Sequence, residues 1–192
     1  MLDNLNIFND LQKQRVTGKI YSKFFLYPRL RKLLNGHLID YGAGIGNFSI
    51  YYRKFFKVTP LENNLDCFNY MKNLGLNPLL LKNNRIPAED NFFDSAFLDN
   101  VLEHVLDVSA VMTEVKRVVK KEGLILLGVP GVLGFNLHWD HKYFFDEIEI
   151  KKLCKNLDFN LKKIIYAPLF KSEFLSLHMR QYCIYAQIEN KK

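Results

Sequence analysis

The stretch Leu38-Ile39-Asp40-Tyr41-Gly42-Ala43-Gly44-Ile45-Gly46 runs from a short apolar segment through three closely spaced glycines into Phe48–Phe56, where apolar residues recur at helical spacing. That succession reads as strand, glycine turn and helix, the opening unit of a nucleotide-binding α/β fold. The glycines at 42, 44 and 46 form G-x-G-x-G. The dinucleotide fingerprint G-x-G-x-x-G would need glycine at position 47, where Asn47 stands. Asp40, two residues before the first glycine, would repel a pyrophosphate seated on the helix N-terminus. A carboxylate there favours a ligand with positive charge.

Outward from this turn, apolar patterning alternates between strand and helix. Short β-like runs are expected at Leu38-Ile39, Lys57–Leu61, Pro78–Leu81, Phe93–Leu98, Leu124–Val129, Leu161–Tyr166 and Gln181–Ile188. Helical periodicity covers Lys19–Leu34, with Pro28 expected to kink it, and Leu65–Leu74, with Gly75 as its stop. It returns in an Asp107-capped segment through Val119 and in Asp146–Asn156. Strands that alternate with helices imply right-handed βαβ units. The expected fold is therefore α/β: a doubly wound, mostly parallel seven-stranded sheet with helices on both faces. Such sheets bind ligands at the carboxyl ends of their strands, where strand order reverses. Glu62 follows Asp40 by 22 residues, at the end of the second expected strand. An acidic residue so placed accepts hydrogen bonds from ribose hydroxyls. The ligand thus has a ribose and a cation, without a pyrophosphate.

Four segments in order carry a resemblance to a known family. They are Leu38 to Gly46; Glu62; Ile86-Pro87 with Asn91-Phe92-Phe93-Asp94-Ser95-Ala96-Phe97; and Val101-Leu102-Glu103-His104-Val105 followed by Glu114, Arg117-Val118-Val119-Lys120 and Gly123. The chain resembles the class I S-adenosylmethionine-dependent methyltransferases, in particular the small-molecule branch related to the ubiquinone and menaquinone biosynthesis enzymes. The resemblance implies S-adenosylmethionine as cofactor and S-adenosylhomocysteine as product. It implies that Asp40, Gly42, Ala43 and Gly44 hold the methionine end, that Glu62 takes both ribose hydroxyls, and that Asn63 lies against the adenine. Asp99 and Asn100 would border the sulfonium and the acceptor. The family often has an acidic residue after the third strand to read the adenine amino group. Here that region is Lys82-Asn83-Asn84, so Asn83 or Asn84 would have to serve. Asp40 has a second reading, in which it bonds backbone amides of its own loop.

The segment His138-Trp139-Asp140-His141-Lys142-Tyr143-Phe144 follows the fifth expected strand, where this fold sends a loop over the acceptor. His138, His141 and His104 are the candidate general bases, because imidazole titrates near neutral pH. A metal would need a further ligand beside the two loop histidines. The sequence shows none, and no metal is expected. Phe135, Trp139, Phe144, Phe170 and Phe174 suggest an aromatic or amphiphilic acceptor pocket, although core packing accounts for aromatics equally well.

The 192 residues, 48% hydrophobic and 24% charged, suit one domain and exclude a disordered chain. Its expected parts are an N-terminal helical segment (1–36), a cofactor-binding core (37–130) and an acceptor side with a loop, a helix and the last two strands (131–192). Three scattered cysteines, no secretory leader and no membrane span point to a reducing, cytoplasmic setting. The net charge of +7 permits nucleic acid as a partner. However, the chain lacks the Asn/Asp-Pro-Pro-aromatic run of amino-methylating enzymes and any Pro-Cys nucleophile. The basic residues Lys13, Arg15, Lys19, Lys23, Arg29, Arg31 and Lys32 read as a solvated helix face. The expected function is methyl transfer to a small or medium-sized acceptor at oxygen, nitrogen or carbon, by a monomer or homodimer. The alternatives are an RNA or DNA methyltransferase and a non-catalytic cofactor-binding partner protein.

Overall fold

The computed structural model describes residues 20–136, 139–168 and 183–192. His138, Lys13, Arg15, Lys19, Phe170 and Phe174 lie outside them.

Seven strands form one sheet: β1 (His37–Tyr41), β2 (Lys57–Glu62), β3 (Leu79–Leu80), β4 (Phe93–Asp99), β5 (Val119–Pro130), β6 (Phe159–Ala167) and β7 (Cys183–Asn190), in the order β3-β2-β1-β4-β5-β7-β6. Strands β1 to β5 pair in parallel, and β7 runs antiparallel to both β5 and β6. The crossover helices are α2 (Asn47–Tyr52), α3 (Leu65–Asn73) and α4 (Val108–Val118). A short α1 (Tyr27–Arg31) precedes β1, while α5 (Val132–Asn136) and α6 (Glu147–Asn156) follow β5. The chain leaves β1 outward to β2 and β3, then returns to place β4 on β1's other side. That reversal makes the carboxyl ends of β1 and β4 the ligand crevice.

The unbroken apolar runs reflect burial on both faces, as in parallel sheets generally. Neighbouring residues divide between two cores. Ile39, Leu98, Ile125 and Leu127 pack with Val111, Met112 and Val115 of α4 and Ile150 of α6. Leu38, Phe97 and Leu126 pack with Leu30 of α1 and with Phe48 and Tyr52 of α2. Fully burying one such side chain stabilises by about 1.5–3 kcal/mol. Phe48 stacks on Phe97 at 3.8 Å and on Tyr52 at 3.9 Å, which locks α2 onto the sheet behind the glycine turn.

Several boundaries depart from the sequence reading. Pro28 cannot donate a backbone hydrogen bond, and the expected kink takes the form of a π-helical turn at Ser22–Leu26 ahead of α1. The helix after the glycines ends at Tyr52, short of Phe56, because Arg53–Phe56 turn into β2. Strand β5 starts at Val119, immediately after α4, because Val119 pairs with Phe93 before the register shifts. The five residues of α5 carry no periodicity visible in sequence. Asn64 caps α3 through bonds from the amides of Asp66 and Cys67, and Asp107 and Asp146 cap α4 and α6. Arg29, expected on a solvated face, instead donates to the carbonyls of Tyr166 and Pro168 and ties the N-terminal segment to β6.

Candidate active site

The three glycines of the turn all have positive φ, yet they serve different ends. A Cβ on Gly42 (φ +71°) would meet Val101 at 2.7 Å, and one on Gly46 (φ +80°) would meet Leu76 at 2.8 Å and Met71 at 3.0 Å. Those two positions let chain segments approach closely. A Cβ on Gly44 (φ +55°) meets nothing within 4 Å among the described residues. The turn is therefore packed at both ends and open in the middle, as a ligand cradle must be.

Glu62, at the end of β2, is 7% exposed and holds this cradle. Its Oε2 accepts the Gly44 amide at 2.7 Å, and its Oε1 accepts the amides of Asn63 (2.9 Å) and Asn64 (3.0 Å). The loop after β1 and the loop after β2 thus hang on one carboxylate. The amides of Gly42 and Ala43 donate to the Leu61 carbonyl at 2.9 and 3.0 Å and complete the junction.

Asp40 is 3% exposed and accepts the Ser49 hydroxyl of α2 at 2.6 Å. The Ser49 backbone amide bonds it as well, so the amide that Asp40 accepts comes from the helix after the glycine turn and links strand to helix. Burial pushes its carboxyl up to about 7, the Ser49 bond lowers it, and the nearby Asp99 and Glu62 raise it further. Asp99, at the end of β4, bonds Tyr185 of β7, and burial pushes its carboxyl up to about 6. A Cβ on Gly128 would run into the Asp99 carboxylate and the Tyr185 ring, so glycine there preserves that pair. Asn100, exposed at φ +54°, donates from its side chain to Asp99 at 3.1 Å. A chain with a net charge of +7 therefore gathers three carboxylates, from Asp40, Glu62 and Asp99, at one crevice. Such a crevice favours a cation and disfavours a polyphosphate.

The acceptor side adds a second group. Glu103, in a 3₁₀ turn (Leu102–His104) after β4, is 1% exposed, and neither carboxylate oxygen has a hydrogen-bond partner among the described residues. Burial pushes its carboxyl up to about 8. His104 Nδ1 lies 2.9 Å from Asp140 Oδ2, and His141 Nδ1 lies 2.8 Å from the Phe135 carbonyl oxygen. The loop carrying Asp140 and His141 docks on the same turn, because the Lys142 amide donates to the Glu103 carbonyl at 2.6 Å.

The structure thus brings together Asp40, Gly42, Ala43, Gly44, Glu62, Asp99 and Asn100, and separately His104 and His141. Asn63 begins the loop after Glu62 with its side chain exposed. Asn83 and Asn84 form an exposed turn at φ +51° and +55° between Lys82 and Arg85, off the end of β3. Trp139, a candidate for the acceptor pocket, is 94% exposed, whereas Phe135 stacks on His141 at 5.2 Å and meets Phe144 at 5.3 Å. Tyr185 was invisible as a site residue, since nothing in its sequence context sets it apart from other strand residues. Glu103 and Asp140 stood beside candidate histidines, and their proximity to each other depends on the folded loop.

Residues 39–127 match the family model described as a methyltransferase domain. Those residues form a methyltransferase domain. Its fold is that of many solved structures. It superposes on a S-adenosylmethionine-dependent methyltransferase from Thermotoga maritima, described as a possible histamine N-methyltransferase, with a TM-score of 0.75, 16% identity and 97% of each chain covered. A S-adenosylmethionine-dependent methyltransferase from Clostridium acetobutylicum gives 0.72 at 12% identity, over 98% of this chain and 99% of that one. One from Aquifex aeolicus gives 0.68 at 19% identity, over 89% and 93%. No curated protein matches the chain. No helix among the described residues of this methyltransferase is long and apolar enough to cross a membrane.

The buried Asp40 sets a pH signature. Folding raises its carboxyl from 3.8 to about 7, so folding favours the neutral form. That contribution is complete below about pH 3.8 and is lost as pH rises through about 7. Asp40→Asn keeps an acceptor for Ser49 without the ionisation cost. Its melting temperature should exceed that of the parent by at least about 3 °C at pH 8 and by less at pH 5. An equal shift at both pH values in scanning calorimetry would show that Asp40 is not a buried ionisable group.

Proposed function

We propose that the methyltransferase acts on a small or medium-sized apolar or aromatic acceptor at oxygen, nitrogen or carbon, in the manner of the quinone-biosynthesis branch it resembles. The observation that carries the reading is the open Gly44 cradle beside three carboxylates at the β1/β4 switch point. Glu62 would take the ribose hydroxyls, Asn63 would lie against the adenine, and Gly42, Ala43 and Gly44 would hold the methionine end through the backbone. Asp40 and Asp99, with Asn100, supply the negative field for the ammonium and sulfonium. Asn83 or Asn84, on the turn that follows β3, would serve the adenine amino group.

S-adenosylmethionine supplies a methyl group on a cationic sulfur that is already a good leaving group. What remains for the protein is alignment of acceptor, methyl carbon and sulfur, and such positioning contributes roughly 7–11 kcal/mol. The acceptor side is rimmed by exposed apolar side chains, with Leu106 78% exposed and Val132 and Tyr143 nearly half so. At its polar end His104 and His141 present imidazoles that Asp140 and the Phe135 carbonyl orient.

The test is release of S-adenosylhomocysteine with a panel of small phenols, catechols and amines set against RNA and DNA. Turnover is expected with a small acceptor. Nucleic acid is expected to bind weakly and without sequence preference, with a salt slope near −0.9 per neutralised phosphate for duplex DNA. Nanomolar binding to one sequence at physiological salt, together with its methylation, would replace this reading by the nucleic-acid one.

A further inference from the structure

We propose that Glu103, His104 and His141 form a binding site for one divalent transition-metal ion beside the methyl-transfer crevice. The inference rests on side-chain geometry and is independent of the acceptor's identity. One potential ligand atom from each of the three residues lies within 4.8 Å of the others. Glu103 brings a carboxylate that is 1% exposed and has no hydrogen-bond partner among the described residues. Buried polar side chains in native proteins are otherwise almost always satisfied, and an orphaned pair of oxygens calls for a missing partner.

The histidines are oriented as metal ligands are. A carbonyl oxygen can only accept, so His141 Nδ1 carries the hydrogen it shares with Phe135, and its lone pair sits on Nε2. Asp140 likewise takes the Nδ1 hydrogen of His104 at 2.9 Å. A second-shell carboxylate or carbonyl on the far ring nitrogen is what fixes tautomer and ring direction in metal-bound imidazoles. The two rings already meet edge to face at 4.7 Å between centroids, and the Lys142 amide anchors the His141 loop on the Glu103 carbonyl.

Bonds of about 2.0–2.2 Å to nitrogen and oxygen put tetrahedral ligand atoms about 3.3–3.5 Å apart. The most widely spaced donors would therefore close by up to about 1.5 Å on binding, a shift that the part-exposed His104–Asp140 pair, with side chains 37% and 45% exposed, can make together. Two imidazoles and one carboxylate select zinc-like ions over magnesium or calcium, which prefer oxygen. Three protein ligands leave a coordination position open to water or to an acceptor atom. The sequence shows no such ligand set around the loop, because Glu103 and His104 join His141 only in the fold.

The experiment is titration of Co²⁺ and Zn²⁺ into tag-free, chelator-treated protein without cofactor. Visible absorption would follow Co²⁺, and calorimetry would follow Zn²⁺. One ion per chain is expected, with Zn²⁺ displacing Co²⁺. His141→Ala and Glu103→Gln should each weaken binding by at least about 100-fold. The exposed second-shell variant Asp140→Asn should weaken it by about 10–100-fold without disturbing the core. Circular dichroism and S-adenosylhomocysteine binding on the same samples establish that each variant is folded. Absence of one-to-one binding by the parent, or parent-like affinity in folded Glu103→Gln or Asp140→Asn, would overturn the proposal.

Discussion

Gly44→Val is expected to lose S-adenosylmethionine affinity by at least about 100-fold in a chain that still folds. A Cβ at this position meets no atom within 4 Å among the described residues, so a side chain can leave the backbone here without striking the core. The added methyls occupy the space of the cradle. A non-glycine residue at φ +55° costs about 1–2 kcal/mol of backbone strain, which a domain of this size tolerates. Filling the cradle is expected to cost binding more than that: 100-fold is about 2.7 kcal/mol of binding free energy. Gly44→Ala should fall between the two. The same substitution at Gly46 should instead lower stability, because a Cβ there strikes Leu76 and Met71. Calorimetric titration with thermal melts separates the two outcomes. Parent-like affinity in Gly44→Val would place the cofactor away from the turn.

Glu62→Ala should produce the second large loss. Its carboxylate holds three backbone amides, those of Gly44, Asn63 and Asn64, and each such charge-assisted bond is worth roughly 1.5–3 kcal/mol. Removing it releases the loops after β1 and β2 together and, in the proposed binding mode, would take away the acceptor for the ribose hydroxyls. S-adenosylmethionine and S-adenosylhomocysteine should weaken equally, by at least about tenfold, because both carry the ribose. Asp40→Asn and Asp99→Asn should discriminate, weakening S-adenosylmethionine more, since only it bears the sulfonium. Equal losses in the Asp variants would remove the electrostatic part of the reading. A Glu62→Ala protein that binds both ligands normally would make Glu62 a loop pin alone.

The sheet was legible in sequence because burial on both faces leaves apolar runs that glycines, caps and basic helix ends punctuate. Leu38-Ile39 and Leu124–Leu127 needed no period to be recognised as strands; they needed only to be short and bounded. Edges were less legible. Strand β3 has two residues, and β5 reaches back to Val119 through a register shift that no local pattern encodes. At the site, Asp40, the glycines and Glu62 were visible because strand ends place them by chain spacing alone. Tyr185, the pairing of His104 with Asp140 and the approach of His141 to Glu103 were not, because they depend on how an antiparallel return strand and a docked loop meet the β4 end.

The placement of the cofactor is tested most directly by a crystal structure of the parent protein with S-adenosylhomocysteine. The expected result has both ribose hydroxyls within hydrogen-bond distance of the Glu62 carboxylate, the methionine end against the Gly42–Gly44 backbone and the sulfur beside Asp99. Density for the ligand elsewhere on the sheet, or over the turn with the ribose turned away from Glu62, would contradict it.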